Sequence, residues 1–256
     1  MNIYYKELNN EIDIFVKAFH NKLPIMLKGP TGCGKSRFVE KMATLLKLPL
    51  IQIACNEETS AIDLQGRFLI NSGNTIWQNG PLTTAVITGA ILYLDEISEA
   101  KEDVIVVIHP LSDHRRELYL DKKNEKFIAH NNFMLVASYN PGYQNKIKDL
   151  KRSTKQRFIT LQFDYPDIHD ETEIIIIETS LDLNIAKQLT SYAKKLRNLK
   201  NLELLETVST RLLINTAKMI KSGLEIYMAC DIGIIQVLTD DKDIQLSLKD
   251  ILKLHI

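Results

Sequence analysis

Gly29-Pro30-Thr31-Gly32-Cys33-Gly34-Lys35-Ser36 satisfies the spacing G-x-x-x-x-G-K-S/T at every position. The apolar run Pro24–Lys28 precedes it and the amphipathic stretch Lys35–Leu46 follows. The octapeptide therefore stands where a strand hands over to a helix, the setting in which this spacing cradles phosphate. Glycines let successive backbone N–H groups curl around phosphate oxygens, and the N-terminus of the following helix adds positive potential. In such a loop Lys35 reaches the β- and γ-phosphates and the Ser36 hydroxyl ligates Mg²⁺. Gly29, Pro30, Thr31, Gly32, Cys33, Gly34, Lys35 and Ser36 are the expected nucleotide-binding residues, with ATP and Mg²⁺ as ligands.

Outward from this loop, short apolar runs recur at Leu50–Ala54, Ala90–Leu94, Phe133–Ala137 and Ile159–Phe163. Each reads as apolar on both faces, as a buried parallel strand should be. Helical patterns near Lys35–Leu46, Leu82–Thr88 and Ala100–Leu111 lie between them. Strand and helix in alternation imply an α/β sandwich around a parallel sheet. Two segments interrupt the alternation and read as hairpins, Arg67–Gln78 around Asn-Ser-Gly-Asn and Glu117–Ala129 with a charged tip. After Tyr165-Pro166 the strands stop, and Asp170–Ser180, Ile185–Leu199, Thr210–Lys221 and Glu225–Val237 all read as helices. This places a boundary near Pro166, with an α/β domain over residues 1–165 and a smaller helical domain over 166–256.

Ile91-Leu92-Tyr93-Leu94-Asp95-Glu96 ends an apolar strand in two acids, at the edge where an open α/β sheet binds its ligands. Asp95 is expected to hold Mg²⁺ together with Ser36, and Glu96 to orient or activate the attacking water. Ser138-Tyr139-Asn140-Pro141 follows the run Phe133–Ala137. Beside the other two motifs, Asn140 is positioned to hydrogen-bond the γ-phosphate or that water; alone it would be an ordinary Asn-Pro turn. Lys outnumbers Arg 24 to 8 in this chain, so each arginine is informative. The guanidinium fork suits phosphate better than an ammonium does. Arg152, Arg157 and Arg211 are candidates, whereas Arg67, Arg116 and Arg197 read as solvated surface charge.

Composition narrows the rest. The chain has 256 residues, 45% hydrophobic and 25% charged, with 32 basic against 32 acidic side chains. That balance argues against a polybasic nucleic-acid protein. The basic run Lys146, Lys148, Lys151, Arg152, Lys155 and Arg157 has no interleaved aromatic stacking platforms. No apolar run approaches the ~20 residues of a membrane span, and the N-terminal stretch has no signal-peptide h-region. Three scattered cysteines suit a reducing cytoplasm better than a disulfide framework.

The phosphate loop, the Asp-Glu strand end, Ser-x-Asn, a distal arginine and an arginine-bearing helical segment follow one another in the order of an AAA+ ATPase of the MoxR group. The stretches LKGPTGCGKSRFVE, ACNEETSAIDLQGRF, WQNGPLT, YLDEISEA, VVIHPLSDHRREL, SYNPGYQ and STKQRF resemble the CbbQ/NirQ/NorQ subfamily, from about Leu23 to Asp241. The resemblance implies a P-loop AAA+ fold with a C-terminal helical lid. It matches Gly29 to Ser36 to Walker A, Asp95 and Glu96 to Walker B, and Asn140 to sensor 1. Arg157 matches the trans-acting arginine finger, with Arg152 a weaker candidate, and Arg211 matches sensor 2. Asn56 is a loose candidate to restrain Glu96. The two hairpins match insertions that line a ring's pore or contact partners. The resemblance further implies a homo-oligomeric ring, usually a hexamer, and a partner with a von Willebrand factor A domain (CbbO/NorD-like). The implied client is Rubisco, freed of inhibitory sugar phosphates, or alternatively nitric oxide reductase. A nucleotide-switched scaffold with negligible turnover is the competing reading from another class. No nucleic acid, membrane insertion or further catalytic metal is expected, and the expected location is the cytoplasm.

Overall fold

The computed structural model describes residues 3–141, 150–199 and 207–255; Lys146 and Lys148 of the basic run lie outside them. The strands are β1 Ile25–Lys28, β2 Leu50–Ala54, β3 Gly66–Asn71, β4 Asn74–Asn79, β5 Ile91–Asp95, β6 Glu117–Leu120, β7 Glu125–Ile128, β8 Met134–Tyr139 and β9 Ile159–Gln162. Five of them form one parallel sheet in the order β2-β5-β8-β1-β9. The two hairpins, β3-β4 and β6-β7, are separate antiparallel pairs. The fold is the P-loop AAA+ α/β arrangement.

The chain divides into two compact units: Met1–Gly29 with Lys35–Phe163, and Pro30–Gly34 with Asp164–Ile256. In the first unit the three inner strands β5, β8 and β1 are almost wholly buried, as their unbroken apolar runs require. The two outer strands differ from the sequence expectation. β2 is half-buried and β9 exposes three of its four residues, because a sheet edge has only one neighbour and less cover. The helix Lys35–Leu46 buries Lys35, Phe38, Val39, Met42 and Ala43, one stripe at 3.6-residue periodicity. Phe38 packs edge-on to Phe15, with ring centroids 5.6 Å apart, and tilted against Phe163 at 5.4 Å. The first hairpin turns at Ser72 and Gly73, both with positive φ, as a tight two-residue turn demands.

The second unit is helical: Ile168–Thr179, Leu183–Arg197, Thr210–Lys221, Ile226–Cys230 and Lys242–Lys253. Most starts are capped by a carboxylate or hydroxyl that accepts backbone N–H bonds: Asp167, Asp182, Ser209, Glu225 and Asp241. The continuous helix expected over Glu225–Val237 is interrupted by a π-helical turn at Asp231–Ile235. There Gly233 lies so close to Thr216 that an added Cβ would come within 2.4 Å of its hydroxyl. The helices Glu11–His20 and Lys242–Lys253 were not anticipated. Among the described residues no helix is long and apolar enough to cross a membrane.

Arg197 corrects the reading of solvated surface charge. Its two Nη atoms donate to the Glu171 carboxylate at 2.8 Å each, and its Nε donates to Val208 O at 2.8 Å. Thr210 Oγ1 donates to the same carboxylate at 2.6 Å. The side chains of Glu171 and Arg197 are 1% and 14% exposed. Removing one partner of such a pair strands a desolvated charge, at a cost of about 3–5 kcal/mol. Glu171→Ala is therefore expected to lower the unfolding free energy extrapolated from a urea titration by that amount, and Glu171→Leu with Arg197→Met to restore most of it. A Glu171→Ala unfolding free energy within about 1 kcal/mol of the parent, far short of the cost of stranding a buried charge, would refute the buried-pair assignment. Arg116 also departs from the surface reading: its guanidinium donates to the backbone oxygens of His130 and Phe133 at 3.3 and 2.9 Å.

Candidate functional site

The sheet order decides which residues meet. β5 and β8 are neighbours, as are β8 and β1, so the C-terminal ends of three adjacent strands deliver Gly29, Asp95-Glu96 and Asn140 to one edge. That edge is where open α/β sheets bind ligands.

In the first unit Lys35, Ser36, Asp95, Glu96 and Asn140 form one connected array. Lys35 is 7% exposed. Its Nζ donates to Gly29 O and to Asn140 Oδ1, each at 2.7 Å. Asn140 Nδ2 in turn donates to Glu96 Oε1 at 3.2 Å. An ammonium only donates and a carboxylate only accepts, so the Asn140 amide has one orientation that serves both. Glu96 is a non-glycine residue in the left-handed region, with φ 56°, a conformation that costs ~1–2 kcal/mol. Its backbone N donates to Ser138 Oγ at 3.0 Å, which holds the carboxylate outward at the strand end.

Ser36 Oγ donates to Asp95 Oδ2 at 3.1 Å. A hydroxyl and a carboxylate are hard oxygen donors, the set that Mg²⁺ prefers, and they stand next to a lysine suited to phosphate. The residues present fit a Mg²⁺-nucleotide. Cys55 lies behind them, its thiol pushed up to about 12 by burial and then by the charges of Asp95 and Glu96, so it stays a neutral thiol beside the acids.

The loop tip Pro30–Gly34 belongs to the second unit. Gly32 has φ +69°, and a Cβ there would come within 2.7 Å of the Ser209 side chain. Gly34 has φ +101°, a region open to glycine and little else. Arg211 starts the helix Thr210–Lys221, and its backbone N donates to Gly32 O at 3.4 Å. Cys33 is buried in the loop.

Arg157 stands apart from the array. Its Nη1 donates to Asp113 Oδ2 at 3.0 Å, and Asp113 also receives Arg115 Nε and Nη2 at 3.0 and 2.7 Å. These bonds, first from Arg115 and then from Arg157, hold the Asp113 carboxyl well below the ordinary carboxylate range. Arg152 is exposed at the start of a short helix, Arg152–Lys155. The Asn56 side-chain oxygen is engaged within its own loop. That oxygen accepts from Glu58 N and Thr59 N at 2.9 and 3.0 Å, the local turn that Asn side chains favour.

Four contributors escaped sequence reading. Tyr93 and Ser138 hydrogen-bond Asp95, Asp113 holds Arg157, and in the second unit Tyr165 Oη donates to Thr31 O at 2.9 Å. Tyr165 also carries Arg197 over its ring at 4.2 Å. A tyrosine two residues before a strand-end acid was the one available signal, since both side chains must share a face.

Residues 24–158 match the AAA domain (dynein-related subfamily), and residues 171–255 match the CbbQ/NirQ/NorQ C-terminal family. The chain is 52% identical to protein CbbQ of Hydrogenophilus thermoluteolus over 246 residues, covering 96% of this chain and 92% of that one. It is 47% identical to the denitrification regulatory protein NirQ of Pseudomonas aeruginosa, covering 99% and 97%. A RuvB point mutant of Thermotoga maritima shares the fold at TM-score 0.54 and 16% identity, over 94% of this chain and 68% of that one. Two adjoining domain matches and near full-length identity of about half, over a parallel sheet that gathers lysine, acids and asparagine at one edge, lead to one conclusion: this chain belongs to the CbbQ/NirQ/NorQ family of AAA+ proteins.

Proposed function

We propose that the chain is the ATP-hydrolysing subunit of a ring, usually of six copies, that remodels a metabolic enzyme together with a von Willebrand factor A-domain partner. Residues 1–165 act as the nucleotide-binding domain and residues 166–256 as its helical lid, in the cytoplasm. The observation that carries this reading is the Lys35–Asn140–Glu96 chain beside the Ser36–Asp95 pair. A phosphate-binding ammonium, a polar sensor and a water-orienting carboxylate in one hydrogen-bonded array suit phosphoryl transfer, not nucleotide binding alone.

The residues divide the work as follows. Backbone N–H groups of the Gly29–Ser36 loop and Lys35 bind the phosphates. Ser36 and Asp95 would hold Mg²⁺, which when bound neutralises phosphate charge. Glu96 orients a water and accepts its proton at a carboxylate oxygen. Asn140 ties the position of Glu96 to that of Lys35. Arg157 supplies a guanidinium to a neighbouring subunit, and Arg211 serves as the second sensor residue.

The client we propose is Rubisco, supported by the likeness to CbbQ at 52% identity. The likeness to NirQ at 47% over nearly the whole chain favours a second reading, nitric oxide reductase. The test is affinity capture from native lysate with the Glu96→Gln chain and ATP. The expected result is a von Willebrand A-domain protein together with Rubisco. Nitric oxide reductase subunits in its place would assign the second client. Hydrolysis at background by the unsubstituted chain, with every captured partner added back, would leave a nucleotide-switched scaffold.

A further inference from the structure

In β5 the side chains alternate across the sheet, so Tyr93 and Asp95 point the same way. Ile91, Leu92 and Leu94 are the apolar residues a buried central strand calls for, and Tyr93 is its polar exception ahead of the acid. Tyr93 is 0% exposed. A buried phenol needs a hydrogen-bond partner, and here the partner is the site itself. Tyr93 Oη donates to Asp95 Oδ1 at 2.8 Å and lies 3.4 Å from Ser36 Oγ. Ser138 Oγ, from the neighbouring strand β8, donates to the same Oδ1. The other oxygen, Oδ2, is the one that faces Ser36.

The two carboxylate oxygens of Asp95 are thus inequivalent. Oδ1 is held by two hydroxyl donors and Oδ2 is turned toward Ser36. Hydrogen bonds to a charged acceptor are stronger than neutral ones, and two of them on one oxygen fix the rotation of the carboxyl group about its Cβ–Cγ bond. Ser138 also accepts from Glu96 N, so the same hydroxyl that aims Asp95 anchors the backbone of the next acid.

We propose that Tyr93 is a positioning residue for the nucleotide-bound divalent cation: with Ser138 it clamps Asp95 Oδ1, so that Oδ2 alone is presented beside Ser36. This rests on the reading of Ser36 and Asp95 as the Mg²⁺ ligands. Outer partners of metal ligands typically tune affinity by 10–100-fold, and the clamp predicts an effect on the cation, not on nucleotide contacts elsewhere.

The experiment uses Tyr93→Phe, which keeps the ring in the core and removes only the hydroxyl, with Ser138→Ala as the second variant. Binding of ADP to the full-length chain is titrated at stepped Mg²⁺ concentrations and again in EDTA, and the ligand-free melting temperature is recorded. For Tyr93→Phe the expected result is a rise of about tenfold in the Mg²⁺ needed for half-maximal enhancement of binding. ADP affinity in EDTA stays as in the parent, and the ligand-free melt falls only by the loss of one buried hydrogen bond. An unchanged Mg²⁺ requirement, or equal weakening in Mg²⁺ and in EDTA, overturns the clamp. Should Tyr93→Phe fail to fold, Ser138→Ala carries the same test. Asp95→Asn and Ser36→Ala separate the two levels. If they raise the Mg²⁺ requirement and Tyr93→Phe does not, the clamp fails alone; if they leave it unchanged, the cation-site reading fails with it.

Discussion

The Glu96→Gln chain is expected to bind ATP as the parent does and to turn it over about 10²–10⁴-fold more slowly, the range for loss of a general acid–base group. The side chain is exposed at the end of β5, and Asn140 Nδ2 donates to it. Glutamine fills the same space and still offers an oxygen to Asn140, but it has no basic oxygen to take a proton from water. Lys35→Ala is expected to fail one step earlier. It removes a buried ammonium that links Gly29 O to Asn140 Oδ1, and with it the charge that meets the phosphates, so affinity itself falls. Calorimetric binding and phosphate release measured on the same preparations separate the two variants. Turnover undiminished in Glu96→Gln would remove Glu96 from the chemistry.

Arg157→Ala is expected to reduce turnover by about 10³–10⁵-fold, the range for an arginine that neutralises transition-state charge, with nucleotide binding kept. Within its own chain Arg157 donates one N–H to Asp113. A guanidinium has five donors in a rigid fork, so most of the group is left to address a phosphate. Asp113, itself pinned by Arg115 on both oxygens, pairs with one fork nitrogen, Nη1. If the fork acts on the neighbouring subunit, the defect belongs to the neighbour's site. Mixing Arg157→Ala subunits with Glu96→Gln subunits then restores turnover: the second kind supplies an intact Arg157 to the first, whose own Glu96 is intact. Absence of rescue at every mixing ratio would place Arg157 in its own subunit's structure.

Much of the scaffold is legible in the residues alone. Runs that are apolar on both faces locate five strands, and all five are found within a residue or two of the expected limits. The phosphate loop is legible for a different reason: its chemistry is local, carried by glycines, a lysine and a serine at fixed spacing. The hairpin around Ser72-Gly73 is announced by its turn residues. The exposure of β2 and β9 was not legible, because periodicity reports which face of a strand is apolar and not how many neighbours the strand has. Arg197 escaped for a related reason. Its partner Glu171 lies 26 positions away on another helix, and nothing in a lysine-rich helical stretch distinguishes a paired arginine from a solvated one.

By itself, then, the sequence determined the fold class, the phosphate loop, the acid pair at the end of β5 and the family to which they point. The first three follow from local spacing and apolar period, and the family from the resemblance of whole motif stretches. Tertiary structure alone decided which of these groups touch: Lys35 with Asn140 across 105 positions, Ser36 with Asp95 across 59, and Arg157 with Asp113 across 44. The sheet order β2-β5-β8-β1-β9 sets β8 between β5 and β1, and that order comes from long-range strand pairing, which no local pattern encodes. The aim of Asp95 was decided in the same way. A carboxylate's rotation is set by the donors packed around it, and here they come from its own strand, two residues back, and from the strand beside it.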